Sequence, residues 1–476
     1  VKGQITLIGA GPGEPELLTL KALRKLKEAD AVFYDRLINQ DLLNYCSDSC
    51  ELIDVGKKPK EHKVPQSEIE ALIIKKAKEG KRVVRLKSGD PYVFGRGGEE
   101  GRNITENDLD FEVIPGITSA IGGLAYAGIP ITHRDFSSSF HVITGHLKSE
   151  NNQLDWKNLA KTEGTLVFLM GMSELETITN QLMKHQKSKD TPVAIVRWAT
   201  RKDQKTVVGT LETICDVAKS AQMTSPSLIV MGEVVTQRDY LNFYESRPLF
   251  GKRVMVPFTE KKGMTHHLID AGASVLELPK LTKNFLSQNF TIESMKEIVF
   301  LDGESVKLFI DQLIETKQDI RQLQHVAFVT IGHHTKVAVN ALGILPSEVF
   351  ETLSDYDLSK KEIETTLFVG EKSYIDQLKE LNNQINYYSP FEMISQELNE
   401  EELDEVDYLY LPSSKAAYYF IKDLSKEMLE KLITKKIMVM GEVTSKIFED
   451  KNIPVIQSER PSFESVINKL IEEDIK

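Results

Sequence analysis

The sequence predicts an α/β protein in two halves, each built from two α/β units. Three observations predict it. Short apolar runs alternate with helical patterns along the first half, as in a largely parallel sheet covered by helices. Charge and glycine divide the chain: residues 1–250 carry 33 Lys/Arg, 33 Asp/Glu and 20 of the 28 glycines, whereas residues 251–476 carry 26 Lys/Arg and 38 Asp/Glu. One strand–turn–helix pattern also occurs twice in the second half, roughly 110 residues apart, too long a period for a solenoid. The expected units are residues 1–245 and 251–476, joined near Glu245–Gly251, where Arg247-Pro248 and Gly251 punctuate the chain.

Strands are expected at Ile5–Ile8, Ala31–Tyr34, Leu52–Val55, Val83–Leu86 and Phe111–Ile114, with helices between them. One helix is expected to open with a capping box, Ser67 with Glu70, and to stop at Gly80. From Phe140 the runs become denser in strand: Phe140–Thr144, Thr165–Leu169, Val193–Trp198, Thr206–Leu211 and Leu228–Met231. They predict a second α/β subdomain, with a cleft between the two. In the second half, Ile298–Leu301 with Gly303–Ile310 is echoed by Tyr408–Leu411 with Ser413–Phe420. Phe328–Thr335 is echoed by Ile437–Thr444, each a strand followed by Gly-x-x-Thr opening a helix. Two similar lobes are expected.

Composition excludes several classes. A net charge of −12 argues against general nucleic-acid binding. No apolar run approaches the ~20 residues of a membrane span. The chain opens into a strand-like stretch at Gln4, so no targeting peptide is visible. Three cysteines, Cys46, Cys50 and Cys215, fit a reducing cytoplasm, and none has the partners of a metal site.

Four glycine-marked motifs follow predicted strands. Gly9-Ala-Gly-Pro12-Gly-Glu14-Pro15 breaks the dinucleotide fingerprint at Glu14, and its prolines remove amides that a pyrophosphate would need. A nicotinamide-type oxidoreductase is therefore disfavoured, while a plain turn and a ligand loop both remain open. Arg85-Leu-Lys-Ser88-Gly89-Asp90-Pro-Tyr-Val93-Phe-Gly-Arg96-Gly-Gly-Glu99-Glu100 sits at the carboxyl edge of a sheet, where open α/β folds bind ligands. Its small residues let backbone approach a ligand, Asp90 offers a carboxylate to a cation or ribose, and Arg96 and Glu99 can share a helical face. In Pro115-Gly-Ile-Thr118-Ser119, a hydroxyl residue can simply cap the next helix. His133-Arg134-Asp135 and Thr144-Gly145-His146 flank one strand and suggest a polar cleft wall.

These motifs, with Tyr34-Asp35-Arg36-Leu37, resemble in order the uroporphyrinogen-III C-methyltransferases of the tetrapyrrole methylases, over essentially all of residues 1–245. The resemblance implies two α/β subdomains with cofactor and substrate in the cleft. The reaction it implies is two methyl transfers from S-adenosylmethionine to positions two and seven of uroporphyrinogen III. The products would be precorrin-2, by way of precorrin-1, and S-adenosylhomocysteine. Implied cofactor contacts are Pro12, Ser88, Gly89, Asp90, Val93, Thr118, Ser119, Met170 and Ala199. Asp35 and Lys57 match an assigned proton acceptor and donor, Arg96 and Glu99 another acid–base pair, and Arg36, Arg134 and His146 substrate-side positions. Ser88 replaces the usual glycine, and Trp198-Ala199-Thr200 the usual Gln-Gly-Thr. A substrate with eight carboxylates on a half of zero net charge requires a local basic cleft, for which Arg36, Lys57, Lys58, Lys60, Arg96 and Arg134 are candidates. The family also implies a homodimer, and a destination in siroheme or cobalamin.

The second half resembles uroporphyrinogen-III synthase, most closely at Leu411-Pro-Ser413-Ser414, Met440-Gly-Glu-Val-Thr444 and Ile453-Pro-Val-Ile456. The resemblance implies two lobes joined by crossing strands near Leu276–Pro279 and Asn386–Ser389, and cofactor-free closure of hydroxymethylbilane to uroporphyrinogen III. Tyr388 (or Tyr387), Ser413 and Thr444 are its candidates along an inter-lobe cleft. It departs from the family at Val256-Pro-Phe-Thr259 and at Asp302-Gly303-Glu304, which puts acid where an anionic substrate would pass. The competing expectation is a methyltransferase alone, with a binding or structural module behind it.

Overall fold

A computed structural model describes residues 3–47, 49–56, 66–145, 154–258, 263–278, 281–395, 400–422, 424–449 and 451–475. Lys57, Lys58, Lys60 and His146 lie outside the described residues.

The first sheet holds β1 (Ile5–Gly9), β2 (Ala31–Tyr34), β3 (Glu51–Asp54), β4 (Val83–Lys87) and β5 (Phe111–Ile114) in the order β3-β2-β4-β1-β5. Every neighbouring pair is parallel. β1 and β4 are buried along their whole length, as central strands covered on both faces must be. The covering helices are α1 (Leu20–Glu28), α2 (Gln66–Lys78) and α3 (Gly97–Glu106), and α4 (Ser119–Tyr126) leaves after β5. Thr19 caps α1 through the amide of Ala22, three residues on. Ser67 is the second residue of α2 and so sits inside the helix rather than capping it, while Glu70 accepts from Asn103 of α3. α2 does stop before Gly80, whose φ of 87° no helical residue could share.

The second sheet holds β6 (Phe140–Thr144), β7 (Thr165–Leu169), β8 (Pro192–Arg197), β9 (Lys205–Thr210) and β10 (Ser227–Met231) in the order β6-β7-β10-β8-β9. β6 and β7 are parallel, and the pairs through β10 and β9 are antiparallel. β6, β7 and β8 therefore point the same way and end at one edge. Helices α5 (Trp156–Lys161), α6 (Leu175–Lys184), α7 (Ile214–Ser220) and α8 (Arg238–Leu241) accompany this sheet. α4 ties the two sheets together. Ala120 and Leu124 bury against Val167, Val196, Leu228 and Val230, and Gly123 lies so close to Ala199 that the two β-carbons would stand 2.8 Å apart.

The second half holds two further parallel sheets. One contains β11 (Arg253–Val256), β12 (Ser274–Glu277), β20 (Tyr408–Leu411), β21 (Lys436–Val439) and β22 (Ile456–Gln457), ordered β12-β11-β20-β21-β22. The other contains β14 (Glu297–Phe300), β15 (Ala327–Ile331), β16 (Glu348–Phe350), β17 (Thr366–Val369) and β18 (Asn386–Tyr388), ordered β16-β15-β14-β17-β18. The repeated pattern falls on β14 with α10 (Gly303–Glu315), β15 with α11 (His333–Ala341), β20 with α14 (Ser414–Lys422), and β21 with α16 (Glu442–Glu449). Helices α9 (Gly263–Asp270), α12 (Lys372–Leu381), α13 (Glu400–Asp404), α15 (Lys426–Ile433) and α17 (Phe463–Ile475) complete the lobes. The crossing ribbon is the antiparallel pair β13 (Thr282–Phe285) and β19 (Phe391–Ile394). It lies a few residues beyond the expected positions: Leu276 belongs to β12 and Asn386 to β18, because both segments first complete a lobe sheet before the chain crosses.

The tightest packing lies where β1, β4 and β5 end. A β-carbon on Gly116 would stand 2.2 Å from the Gly89 carbonyl oxygen and 2.7 Å from Gly9, and one on Gly9 would stand 2.4 Å from the Gly116 amide. Those obstacles are backbone and cannot turn aside. We expect Gly116→Ala to cost roughly 1–3 kcal/mol or more, read as a lower apparent melting temperature. Gly98→Ala is the control: nothing lies within 4 Å of its added carbon, on the first turn of a helix. It should be neutral or stabilising by about 0.5–1 kcal/mol.

Candidate functional site

Parallel strands deliver their following loops to one edge, and among the described residues the first sheet brings the loops after β1, β2, β4 and β5 there. The β1 and β4 loops are bonded to each other, Gly11 N–H to Gly89 O (3.2 Å) and Gly89 N–H to Gly11 O (2.8 Å). Gly89 (φ 66°) and Gly11 (φ 77°) take backbone angles that favour glycine, which is why these turns need it. Asp90 joins a third loop: its Oδ1 accepts from the Tyr92 amide (2.8 Å) and its Oδ2 from the Gly116 amide (3.1 Å). Its carboxylate thus stitches the β4 loop to the β5 loop. Thr118 caps α4 through the Ala120 amide (3.4 Å), and Ser119 opens that helix. The alpha carbon of Thr118 stands 3.8 Å from where a Gly89 β-carbon would be.

The second sheet contributes Gly145, Met170 and Ala199 from the ends of β6, β7 and β8. The Gly145 amide donates to Leu169 O (2.7 Å). Met170 is 52% exposed at φ 56°, and Ala199 is buried between Trp198 (φ 46°) and Thr200 (φ 68°). Non-glycine residues are uncommon in this region of backbone space, and such strain clusters at ligand sites. The buried Thr200 Oγ1 accepts from the Glu14 amide (2.9 Å), and the Thr200 amide donates to Gln204 (2.7 Å), so the β8 loop is locked against the β1 loop. Pro12 lies over α4, its Cγ 3.2 Å from where a Gly122 β-carbon would be. Pro12, Ser88, Gly89, Asp90, Thr118, Ser119 and Ala199 therefore share connected loops, with half-buried Val93 farther along the β4 loop.

Of the acid–base candidates, Asp35, Arg96 and Glu99 lie on the same edge. Asp35 directly follows β2, with Arg36 exposed beside it. Arg96, at φ 59°, opens α3 and donates to Glu99 Oε2 from Nε (3.0 Å) and Nη2 (2.5 Å), both side chains being exposed. Arg134 stands elsewhere. Its turn is closed by His133 and Ser137, whose amides and carbonyls bond each other, and Ser137 Oγ accepts from the amide of Thr165 at the start of β7. The strand β6 thus separates His133-Arg134 from Gly145, placing them at opposite ends rather than on one cleft wall.

Three charged residues with no assigned part emerge beneath the edge. Arg85 and Lys87 of β4 and Glu100 of α3 are 3%, 5% and 3% exposed and form one ion network reaching Asp35. The signal was available: Val83, Arg85 and Lys87 occupy alternate positions on a strand buried on both faces, where cations are out of place.

In the second half, Ser413 N-caps α14 through the Ala416 amide (3.1 Å) and Thr444 is buried in α16, at the ends of neighbouring strands β20 and β21. Tyr388 is 3% exposed and packs on Phe290 (4.5 Å) and Phe309 (6.3 Å), so its ring belongs to the core of its lobe and not to a cleft wall. The neighbouring Tyr387 takes Lys379 over its face at 3.7 Å. Asp302 caps α10 through the amides of Glu304 (3.0 Å) and Ser305 (2.8 Å) and accepts from the Glu371 amide (2.8 Å). Lys415 of α14 reaches across the lobes to the buried Glu371 (3.1 Å).

Fold and site define an α/β enzyme whose ligand crevice lies at the strand ends. A model of the tetrapyrrole (corrin/porphyrin) methylases matches residues 4–215, and one of uroporphyrinogen-III synthase HemD matches residues 262–468. The uroporphyrinogen-III C-methyltransferase of Bacillus subtilis is 43% identical over 67% of this chain and 68% of its own length. That of Priestia megaterium is 49% identical over 49% of this chain and 98% of its own. The porphyrin biosynthesis protein HemD of Ruminiclostridium josui is 32% identical over 99% of this chain and 98% of its own. Among solved structures, the uroporphyrin-III C-methyl transferase of Thermus thermophilus complexed with S-adenyl homocysteine is 39% identical over 49% of this chain and 99% of that one, with a TM-score of 0.43. The chain belongs to the tetrapyrrole methylases, among the uroporphyrinogen-III C-methyltransferases, and carries a uroporphyrinogen-III synthase domain behind the methylase.

Behind the glycine loop lies a cavity of about 340 Å³, lined by Glu14, Asp41, Arg201, Tyr244, Arg253 and His266. Arg253 and Asp41 meet across it at 3.6 Å. Burial pushes the Glu14 carboxyl up to about 7; the hydrogen bond from the Glu16 amide and the charge of Arg247 oppose the shift, while the Glu16 and Asp41 carboxylates add to it. The folded chain then holds that proton more tightly than the unfolded one. The resulting stability is present at low pH and is lost as pH rises from the ordinary carboxylate range through about 7. The melting temperature of Glu14→Gln relative to wild type should therefore rise between about pH 5 and about pH 8. A constant difference across that range would contradict the assignment.

Proposed function

We propose that this chain transfers methyl groups from S-adenosylmethionine to positions two and seven of uroporphyrinogen III, giving precorrin-2 through precorrin-1. In this reading residues 1–245 form the methyltransferase unit and residues 251–476 the synthase unit, which closes hydroxymethylbilane to uroporphyrinogen III. The observation that carries the reading is the meeting of the β1, β4, β5 and β8 loops around Gly9, Gly89 and Gly116, with Asp90 and Thr200 locking them.

The residues at that edge fit an adenosyl sulfonium. Pro12, Val93, Met170 and Ala199 offer apolar contact, Ser88, Thr118 and Ser119 offer hydroxyls, and Asp90 orders the amides around them. S-adenosylmethionine supplies a methyl group on a cationic sulfur, already activated for an electron-rich pyrrole carbon. The protein's task is to align the reacting atoms and exclude water. Once the new carbon–carbon bond forms, one proton must leave the macrocycle, and its electron pair returns to the ring system. In this reading Asp35 accepts that proton, with Lys57 as its partner by resemblance. The Arg96–Glu99 pair is a second acid–base site on the same edge. Arg36 and Arg96 meet substrate carboxylates, and His146 is substrate-side by resemblance. By that resemblance the chain works as a homodimer, and its three free cysteines suit the reducing cytoplasm. Among the described residues no helix is long and apolar enough to cross a membrane.

Asp90→Ala removes both acceptors that hold the β4 and β5 loops together. It should weaken S-adenosylhomocysteine binding about tenfold or more, and Asp90→Asn less, since hydrogen bonds to a charged acceptor contribute roughly 1.5–3 kcal/mol. Unchanged affinity by calorimetry would remove Asp90 from the site. Arg96→Leu and Glu99→Gln should lower methylation of uroporphyrinogen III far more than cofactor affinity, as for groups acting in the transition state. Wild-type rates in both would leave Asp35 as the base.

The contact of Lys415 with the buried Glu371 between the lobes, which a polyanion would have to break, favours a second reading, in which the synthase unit serves only as a binding module. Whole chain supplied with fresh hydroxymethylbilane, without methyl donor, should yield the type III isomer after oxidation. The type I isomer alone, which forms without enzyme, would establish the module.

A further inference from the structure

We infer that Arg85 and Glu100 are positioning residues for the proton-accepting end of the site, acting through Asp35 and through α3 without touching substrate. The inference rests on the role of Asp35 proposed above. Arg85 Nη2 donates to Asp35 Oδ1 at 2.5 Å, and Nη1 donates to the carbonyls of Phe33 (3.4 Å) and Leu86 (3.3 Å). Three acceptors fix the plane of the guanidinium, which holds one oxygen of Asp35 and leaves Oδ2 to take the proton. On its other side Arg85 Nε stands 3.6 Å from Glu100 Oε1, which accepts from Lys87 Nζ at 2.8 Å.

The four charges alternate in sign and sum to zero. The side chains of Arg85, Glu100 and Lys87 are 3%, 4% and 6% exposed, whereas that of Asp35 is 33% exposed. The buried network therefore opens to the crevice at Asp35. Burying ions costs several kcal/mol each, and apolar residues of similar volume would hold the sheet to the helix at least as well. Stability alone does not account for two cations on a strand otherwise made of Val83, Val84 and Leu86. Geometry does, because the network fixes two things at once. It sets the Asp35 carboxylate, and through Glu100 it anchors the first turn of α3, which carries Arg96 and Glu99 on its exposed side. A group that needs a particular proton-accepting angle loses rate when its support loosens, even where binding survives.

A double-mutant cycle on the whole chain tests this. Arg85→Lys keeps the charge and loses the fork. It should lower kcat about tenfold while KM for uroporphyrinogen III and S-adenosylhomocysteine affinity stay within about twofold. In an Asp35→Asn background the same substitution should cost less than about twofold, since residues acting through one another are not additive. If Arg85→Lys does not fold, Glu100→Gln enters the same cycle with the same expectation. An unchanged kcat in the single variant, or an equal loss in both backgrounds, overturns the inference and leaves Arg85 a structural ion. Wild-type chain that fails to methylate uroporphyrinogen III overturns the functional reading and this inference together. Wild-type turnover with additive losses overturns this inference alone.

Discussion

Backbone meets backbone at Gly9, Gly89 and Gly116 with no room for a side chain, and the arrangement of the first half depends on that contact. β4, β1 and β5 are neighbours in the sheet, so their ends start side by side. Only glycine lets the three chains turn while still touching. The consequence reaches the second sheet. α4 begins at Ser119, three residues after Gly116, and its far face is the floor on which Val167, Val196 and Leu228 pack. Moving the glycine contact would move α4, and with it Ala199 and Met170. The crevice is therefore shaped chiefly by main chain, and its side chains can vary in size, as Ser88 and Ala199 do, without changing its form.

A second constraint is electrostatic. Uroporphyrinogen III, the substrate in the proposed function, carries eight carboxylates, yet the first half has no net charge. The buried cations cannot serve as its counter-charge, since Arg85 and Lys87 are already answered by Asp35 and Glu100. The exposed cations Arg36 and Arg96 are left for that work at the described part of the edge. Arg96 is itself leashed to Glu99 on the same turn, which sets its direction and weakens its pull on any third group. Recognition in this scheme comes from placement more than from total charge.

Much of the architecture was legible because hydrophobic runs on buried parallel strands are continuous. Ala31–Tyr34, Phe111–Ile114, Phe140–Thr144, Thr165–Leu169 and Tyr408–Leu411 fall where the runs place them. The misplacements share a cause, namely that a local pattern cannot say what lies opposite. Ser67 has the chemistry of a cap but stands one residue inside its helix. Leu276 and Asn386 border the crossing ribbon in sequence, yet their lobes claim them first. Tyr388 has a hydroxyl suited to a cleft, while Phe290 and Phe309 draw its ring into the core. Arg134 and Gly145 are close in the chain but stand at opposite ends of one strand. The strained backbone at Met170, Trp198 and Thr200 has no sequence mark, since none of these residues favours positive φ.

The second half shows how a departure from a family pattern acquires a structural reason. By the family pattern Asp302 falls on the path of an anionic substrate in the proposed function, which a free carboxylate would repel. Its oxygens are instead engaged by the amides of Glu304, Ser305 and Glu371, so its charge is spread over a helix N-terminus that favours an anion. Glu371 is the more consequential acid. Burial raises its carboxyl above the ordinary range, while Lys415 from the opposite lobe and Ser373 oppose the shift. The Lys415 side chain is 39% exposed and its partner is 1% exposed, so the pair closes the lobes from the rim inward. A polyanion entering between the lobes would offer Lys415 a competing carboxylate and would leave Glu371 without its cation in a low-dielectric setting. Opening and binding are thereby opposed at one contact. Ser413 is occupied in capping α14 and Tyr388 in the core of its lobe, so neither answers for the lone acid that this exchange would leave.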